Sequence, residues 1–396
     1  MKPNKVNKQL PRTPNKRALI IVPTYNESKN ITRLLKTIFA LTEANKTEWD
    51  LHVLVRDDTS PDGTGEIVQS LQKNNYKDKL FLSSGRKEGL GKALQLAFDE
   101  ALDLEYPIII TMDADFSHDP GDIPKLLEAI DDGADVAIGS RYVDGGLIPG
   151  NWPISLIVRT RVASQVARFV GGINPSLREL TTNFRAMKRE VLQQIGYNQV
   201  KANGYGFQIF LANAFSLYDF KLKEVPISFY SRADGSSKAK LSDVIEFFKI
   251  AYSLNDDSPG KQVFRFVAVG ISGTIVNLFS LWAIRNISGS EAIVISIAAI
   301  QISILWNFIL HNVFTFKRYK HEIRQHKTDL LLHLKNFFKY QVASAFTQAI
   351  IFTSFILFFN LGVFYLLAQA IGIAFAFLVN YYLSSTYIWT ISRKYV

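Results

Sequence analysis

Four apolar stretches in the last third of the chain, at roughly residues 264–284, 292–314, 338–359 and 363–389, constrain its folding more than any other feature. About 20 helical residues, rising ~1.5 Å each, cross the hydrocarbon of a bilayer, so each stretch is long enough to span it. A buried helix of a water-soluble protein explains any one of them. Four in series, carrying few charges, point to an all-α four-helix transmembrane domain over 255–396. The linker between the second and third stretches and its flank hold Lys317, Arg318, Lys320, Arg324, Lys327, Lys335 and Lys339. The other two linkers hold Arg285 and no basic residue, and Arg393 and Lys394 follow the last stretch. That asymmetry predicts a multi-pass protein of the cell membrane with the central linker and both termini in the cytoplasm.

This region reads as internally repeated. Arg265-Phe-Val-Ala-Val-Gly270 parallels Lys339-Tyr-Gln-Val-Ala-Ser344, and Trp306-Asn-Phe-Ile-Leu310 parallels Val379-Asn-Tyr-Tyr-Leu383 at nearly the same offset. Two copies of a helical hairpin in one orientation account for this, as does shared apolar composition. Asn307 and Asn380 are expected to hydrogen-bond between helices rather than to form a transport site.

The rest of the chain has another rhythm. Ala18–Val22, Leu51–Val55, Leu80–Leu82, Ile108–Met112 and Val136–Ile138 are short apolar runs of buried-strand type. Helical patterns lie between them at Asn30–Phe39, Gly65–Gln72, Gly91–Leu104 and Ile123–Ile130. Alternation of this kind predicts an α/β domain over 18–254 with a mostly parallel sheet, whose ligands bind beyond the carboxyl ends of the strands. Residues 1–17 carry six Lys/Arg and no acid and read as a flexible basic tail. The net charge of +10 resides in this tail and in 255–396, so the central domain is not a basic nucleic-acid-binding fold. With no cysteine, disulfides and thiolate metal sites are excluded.

Polar clusters fall where the strands end. The fourth run leads into Asp113-Ala-Asp-Phe-Ser-His-Asp-Pro120. Side chains alternate along a strand, so Asp113 and Asp115 point the same way. Their hard oxygens suit Mg²⁺ or Mn²⁺, which brings phosphate oxygens as further ligands. The simpler reading is an acidic loop that caps the next helix. Asp57 and Asp58 close the second run and are placed to accept hydrogen bonds from a nucleoside; Asp62 and Thr64 suit turn and cap roles. Arg86 and the glycines of Gly89-Leu-Gly91-Lys92 suit a diphosphate at a helix N-terminus, or a plain turn. Arg141, in Gly139-Ser-Arg-Tyr142, and Arg232, in a loop of glycine and serine, could converge on a second phosphate; for each the alternative is plain surface exposure. His118 reads as a structural hydrogen-bonding residue rather than a base. The stretches Ile154–Phe169 and Leu241–Leu254 are either helices on the membrane surface or ordinary domain-surface helices.

Taken in order, these motifs resemble glycosyltransferase family 2, and within it the dolichol- or polyprenyl-phosphate mannose synthases. The residues that carry the resemblance are Val22–Glu27, Asp57–Thr64, Arg86–Gly91, Asp113–Pro120, Gly139–Tyr142, Gly145-Gly146 with Trp152-Pro153, Gly204–Gln208 and Glu224–Pro226 through Lys238. The C-terminal region is similar to the GtrA-like four-helix membrane domain. The resemblance implies a Rossmann-like GT-A fold and a metal-dependent, inverting transfer of mannose from GDP-mannose to a dolichyl or polyprenyl phosphate at the cytoplasmic face. It also implies that Pro23, Tyr25, Glu27, Asp57, Asp58, Arg86, Gly91, Lys92, Asp113, Ala114 and Asp115 surround the nucleotide sugar. Asp113, Asp115 and Gln208 would match the metal positions, with Mg²⁺ or Mn²⁺. Arg141, Thr160, Arg232 and Lys238 would face the acceptor phosphate, and Asp113, Asp115, Arg141 and Arg232 would carry catalysis.

The chain departs from the family at several points. Leu180-Thr-Thr-Asn-Phe-Arg185 has Asn183 where glycine is usual, and Arg56 replaces an apolar residue before the acidic pair. Thr160 stands for a usual serine, and Ser155 and Leu156 stand where arginine is usual, with Arg159 or Arg161 one turn on. Two other readings therefore stand beside the first: a polyprenyl-phosphate glucosyltransferase that uses UDP-glucose or another donor, and a lipid-linked-sugar flippase whose soluble domain only binds nucleotide sugar.

Overall fold

The computed structural model describes residues 16–44, 46–150, 152, 154–200, 202, 204–230, 241–255, 258–287, 292–316 and 330–389. Residues 1–15 of the basic tail, Arg232, Lys238 and most of the basic linker before the third span lie outside them; Lys16 pairs with Glu48 and Asp131 and Arg17 opens the first strand, so the tail is shorter than 1–17. The chain divides into two compact units, Met1–Asp256 and Asp257–Val396.

The first unit is built on seven strands: β1 (Arg17–Thr24), β2 (Asp50–Asp57), β3 (Leu80–Ser84), β4 (Ile108–Thr111), β5 (Val136–Ser140), β6 (Arg185–Lys188) and β7 (Leu222–Pro226). They lie in the order β3-β2-β1-β4-β6-β5-β7. All neighbours are parallel except β6, which runs antiparallel to both β4 and β5. The intervening helices are α1 (Ser28–Glu43), α2 (Thr64–Asn74), α3 (Leu90–Asp103), α4 (Ile123–Asp131), α5 (Ile154–Gly171), α6 (Arg189–Gln194), α7 (Gly204–Leu217) and α8 (Leu241–Leu254).

Burial on both faces explains the continuous apolar runs. Ala18, Ile20 and Val22 of β1 pack into one core with Ile31, Leu34 and Ile38 of α1. Leu19 and Ile21 face the opposite core, with Leu94 and Phe98 of α3 and Phe207 of α7. The chain leaves β1 for β2 on one side and reaches β4 on the other, so the crevice between them opens where the strand order reverses. This is the GT-A architecture that the resemblance implied. Helix α5 exposes Ile154, Val158, Val162, Val166 and Phe169, whose spacing makes one apolar stripe.

In the second unit, four helices are long and apolar enough to cross a membrane: Pro259–Ile287, Val294–Thr315, His333–Asn360 and Ala370–Ile388. Helix α9 (Pro259–Ile287) pairs with α10 (Ala292–Leu310), and α11 (Leu330–Asn360) pairs with α12 (Tyr365–Leu383). Both hairpins end in a π turn, at His311–Thr315 and at Ser384–Ile388. The amide of Phe316 bonds the carbonyl of His311, and that of Trp389 bonds the carbonyl of Ser384, each at 2.9 Å. The repeat read from the sequence thus extends to matching backbone geometry, and the two terminal aromatics stack at 4.5 Å. The expected role of the paired asparagines needs correction. The amide oxygens of Asn307 and Asn380 are buried with no hydrogen-bond partner among the described residues. Asn307 instead packs its amide against Gly273 of the preceding helix, the close approach that a small residue permits.

Candidate active site

Asn26, Thr59 and Phe116 follow β1, β2 and β4, and all three have positive φ, at 62°, 54° and 59°. Residues with side chains adopt this conformation at a cost, and it concentrates where loops are held for function. Here it turns the chain sharply at the ends of the strands that line the crevice.

At the end of β2 the two neighbouring carboxylates differ. Asp57 is buried and saturated: Oδ1 accepts from the Thr24 hydroxyl (2.8 Å) and the Ser60 hydroxyl (2.6 Å), and Oδ2 from the Ser60 amide (2.9 Å). Asp58 is also buried, yet its carboxylate has no hydrogen bond among the described residues. Burial raises its pKa, opposed by Arg56. Arg56 itself is buried on Ser83 and Glu100, and its guanidinium fills the space where a side chain at Gly85 would lie. Asp62 accepts from the amides of Ser28 and Thr64. Partial burial opposes ionisation there, but these donors and the Thr64 hydroxyl hold its pKa at about 2. It joins the β1 and β2 loops rather than facing the crevice as a ligand group.

At the end of β4, Asp115 is buried and accepts from the Ser117 amide at 3.0 Å. The Asp113 side chain is 32% exposed, and its Oδ1 accepts from Asn183 Nδ2 at 2.9 Å. Asn183 Oδ1 in turn accepts from Gln208 Nε2 at 3.0 Å. Gln208 Oε1 is left buried and without a partner among the described residues. His118 is buried beside Phe184, accepts the Asp113 amide at Nδ1 (3.4 Å) and meets Thr182 at Nε2 (3.3 Å). Burial lowers its pKa, so it stays neutral and structural.

Among the described residues no three His, Asp or Glu side chains cluster. Two carboxylates and one unsatisfied amide oxygen nevertheless fit a hard divalent cation, which fills its remaining positions with water or substrate oxygens. Aspartates 113 and 115 and Gln208 are the residues that would hold it.

The arginine at the end of β5 is committed within the protein. Arg141 binds Glu179 through Nε (2.9 Å) and Nη2 (3.3 Å), adds Thr181 (3.0 Å), and lies over the Phe229 ring at 4.5 Å. Burial would raise the pKa of Glu179, but Arg141 pulls it below the ordinary range, so this is a true ion pair. Thr160 donates to the Ile157 carbonyl, the usual back-bond of a helical threonine. Arg161 is exposed over the Tyr142 ring at 5.7 Å, and Arg178 reaches the Tyr142 carbonyl at 3.3 Å. The structure thus links Asp113 and Gln208 in one network through Asn183, with Asp115 two residues along the same loop, and sets Arg141 apart on Glu179. Pro23, Tyr25 and Glu27 line the β1 end, where Lys87 lies 3.3 Å over the Tyr25 ring. Gly91 serves a protein contact, since any side chain there would meet the Ala202 carbonyl.

Sequence reading missed Asn183 and Glu179 as site residues. The one available signal was the asparagine in a position where glycine is usual.

Residues 19–196 match Glycosyl transferase family 2, and residues 265–389 match the GtrA/DPMS transmembrane domain. The chain is 32% identical over 371 residues to the dolichol-phosphate mannosyltransferase of Pyrococcus furiosus, covering 93% of this chain and 98% of that one. It is 38% identical over 239 residues to the polyprenol monophosphomannose synthase of Mycolicibacterium smegmatis, covering 60% of this chain and 87% of that one. Among solved structures, a mannosyltransferase from Pyrobaculum calidifontis in complex with GDP-Man and Mn²⁺ aligns over 95% of this chain and 88% of its own, at 15% identity and a TM-score of 0.38. The chain is therefore a membrane-embedded glycosyltransferase, a member of glycosyl transferase family 2 that carries a GtrA/DPMS-type transmembrane domain.

Proposed function

We propose that this protein transfers mannose from GDP-mannose to a polyprenyl or dolichyl phosphate at the cytoplasmic face of the cell membrane, with residues 18–254 as catalytic domain and 255–396 as membrane domain. The observation that carries this reading is the likeness to a dolichol-phosphate mannosyltransferase across both domains, not the catalytic domain alone. The site chemistry agrees with it. A phosphate acceptor is already an anion at neutral pH, so no strong base is needed, and the neutral, buried His118 offers none. An acceptor phosphate oxygen attacks the anomeric carbon, the bond from that carbon to the donor's β-phosphate breaks on the opposite face, and GDP leaves with the electron pair. The product is inverted.

A divalent cation on Asp113, Asp115 and Gln208 would neutralise the leaving diphosphate. The chain's own groups do the rest. Asp58, desolvated and with no side-chain hydrogen bond among the described residues, accepts from the nucleoside. Tyr25 and Lys87 border it. Arg161 and Arg178, both exposed beside Tyr142, supply cations for the acceptor phosphate together with Arg232, Lys238 and the Arg141 guanidinium that Glu179 holds in place, and Thr160 adds a hydroxyl. The apolar stripe of α5 suits a helix resting at the bilayer surface, where a lipid acceptor enters.

Membranes holding the protein, given labelled GDP-mannose and polyprenyl phosphate, should form a labelled lipid extractable into organic solvent. EDTA should stop the reaction, and Asp115→Ala should lower it by roughly a hundredfold or more. Label entering the lipid from UDP-glucose and not from GDP-mannose would sink the mannose assignment. Undiminished synthesis by Asp115→Ala, with lost translocation, would favour the flippase.

A further inference from the structure

Asn183 is 3% exposed and its amide lies between two groups of the candidate metal site. The two ends of an amide are chemically distinct, and here their order follows from the neighbours. An ionised carboxylate only accepts, so Asn183 must turn its NH₂ toward Asp113. Its oxygen then faces Gln208 and requires a donor, so Gln208 must turn its own NH₂ toward Asn183. Flipping either amide would set oxygen against oxygen. The charge on Asp113 is thus transmitted through two amides, and it fixes where the Gln208 oxygen goes. That oxygen is buried and left without a partner among the described residues. A buried acceptor with no donor is costly, and its persistence calls for a cause.

We propose that Asn183 is a positioning residue that locks Gln208 with its oxygen free, so that a divalent cation meets an amide oxygen instead of an amide NH₂. The inference rests on the metal reading above. An NH₂ group has no lone pair to offer a cation, whereas a carboxamide oxygen is a hard ligand. The same contact holds Asp113 by Oδ1 alone and leaves Oδ2 outside the Asn183 bond, 3.8 Å from Nδ1 of the neutral His118. Groups that orient ligands in this way typically change metal affinity by ~10–100-fold when removed.

The test is Mn²⁺ binding, followed by electron paramagnetic resonance on the full-length protein in detergent, with no nucleotide present. Asn183→Leu keeps the branched shape and removes both hydrogen bonds, and it should weaken Mn²⁺ binding by roughly tenfold or more. Gln208→Glu separates this proposal from a simple ligand count. A carboxylate presents an oxygen whichever way it turns, so it needs no such lock. In the Gln208→Glu background, Asn183→Leu should therefore weaken Mn²⁺ binding far less than it does in the wild-type background. Wild-type affinity in Asn183→Leu, or an equal loss in the two backgrounds, would overturn the proposal and leave the metal reading standing. A wild-type protein that binds no Mn²⁺ would overturn both. If Asn183→Leu fails to fold, Asn183→Ala in the same two backgrounds carries the test.

Discussion

The two units place the same kinds of residue oppositely. In the α/β unit, Ile20, Leu34, Val53 and Phe98 are sealed from solvent, and polar groups gather at the strand ends. In the membrane unit, Phe264, Ile275, Leu278, Phe352 and Leu378 face outward, while Lys261, Arg265, His311 and Asn336 are inside. Water drives the first arrangement. Lipid tails are as apolar as leucine, so no hydrophobic drive buries Leu278, and helix association rests on close packing and polar contacts. The interior of the membrane unit is accordingly aromatic and polar: His311 stacks on Phe266 at 4.4 Å, and the Trp389 indole donates to Asn312 at 2.9 Å. The lesson is that burial stabilises the catalytic sheet, whereas shape and hydrogen bonding stabilise the spans.

The largest test of this contrast is a pair of equal truncations. Ile20→Ala should cost the α/β unit about 2–5 kcal/mol, the usual result of emptying a packed core position. Leu278→Ala, at a site 65% exposed to the lipid side, should change stability by less than about 0.5 kcal/mol. Pulse proteolysis in detergent, with fragments assigned to each unit, reads both. Equal losses at the two sites would break the contrast.

The same contrast explains what was legible beforehand. Strands β1, β2, β4 and β5 could be read because parallel strands buried on both faces are continuous apolar runs. Strand β6 is Arg-Ala-Met-Lys and β7 is Leu-Lys-Glu-Val-Pro, too short and too charged to show a pattern; their places come from pairing with β4 and β5. Hydropathy marked the spans but not the two π turns, whose backbone shift has no compositional mark. At the site, Asp113 and Asp115 were legible because two-residue spacing at a strand end is local. The partners that give the site its character are not local. Asn183 meets Asp113 across 70 residues, and Glu179 meets Arg141 across 38. Nothing near Arg141 in sequence announces Glu179, the buried acid that holds its guanidinium.

A smaller effect distinguishes two glycines of α9 that lie one turn apart. A side-chain carbon at Gly273 would fall 2.1 Å from the Asn307 amide oxygen, whereas at Gly270 it would meet nothing within 4 Å. Gly273→Ala should therefore destabilise the α9–α10 hairpin by about 1–3 kcal/mol through overpacking. Gly270→Ala should be neutral or stabilise slightly, since alanine favours helix by roughly 0.5–1 kcal/mol. Adding Asn307→Ala to Gly273→Ala should recover most of the loss. A double variant no more stable than Gly273→Ala alone would show that the helix contact is not set by this pair.

The smallest predicted effect concerns proton uptake by the α/β unit. His52 lies on β2, buried, with Nε2 on Asp50 at 3.0 Å and Nδ1 on the Tyr106 hydroxyl at 2.7 Å. Burial lowers its pKa below the ordinary 6.5, although Asp50 pulls the other way. The ring is therefore neutral, with Nε2–H donating to Asp50 and Nδ1 accepting from Tyr106. Above pH ~6.5 the ring is neutral in folded and unfolded chains alike, and it adds no pH dependence. Below that, the unfolded chain takes up a proton that the folded chain refuses, so stability falls as pH falls. His118 is shifted the same way by burial and contributes with the same sign. The urea midpoint of the α/β unit should drop between about pH 7.5 and pH 5.5. In His52→Gln, which keeps the uncharged polarity without the titration, the drop should shrink but persist through His118. An unchanged slope in that variant would mean that His52 protonates in the folded chain as readily as in the unfolded one, and that burial in this sheet does not exclude charge as the contrast with the membrane unit requires.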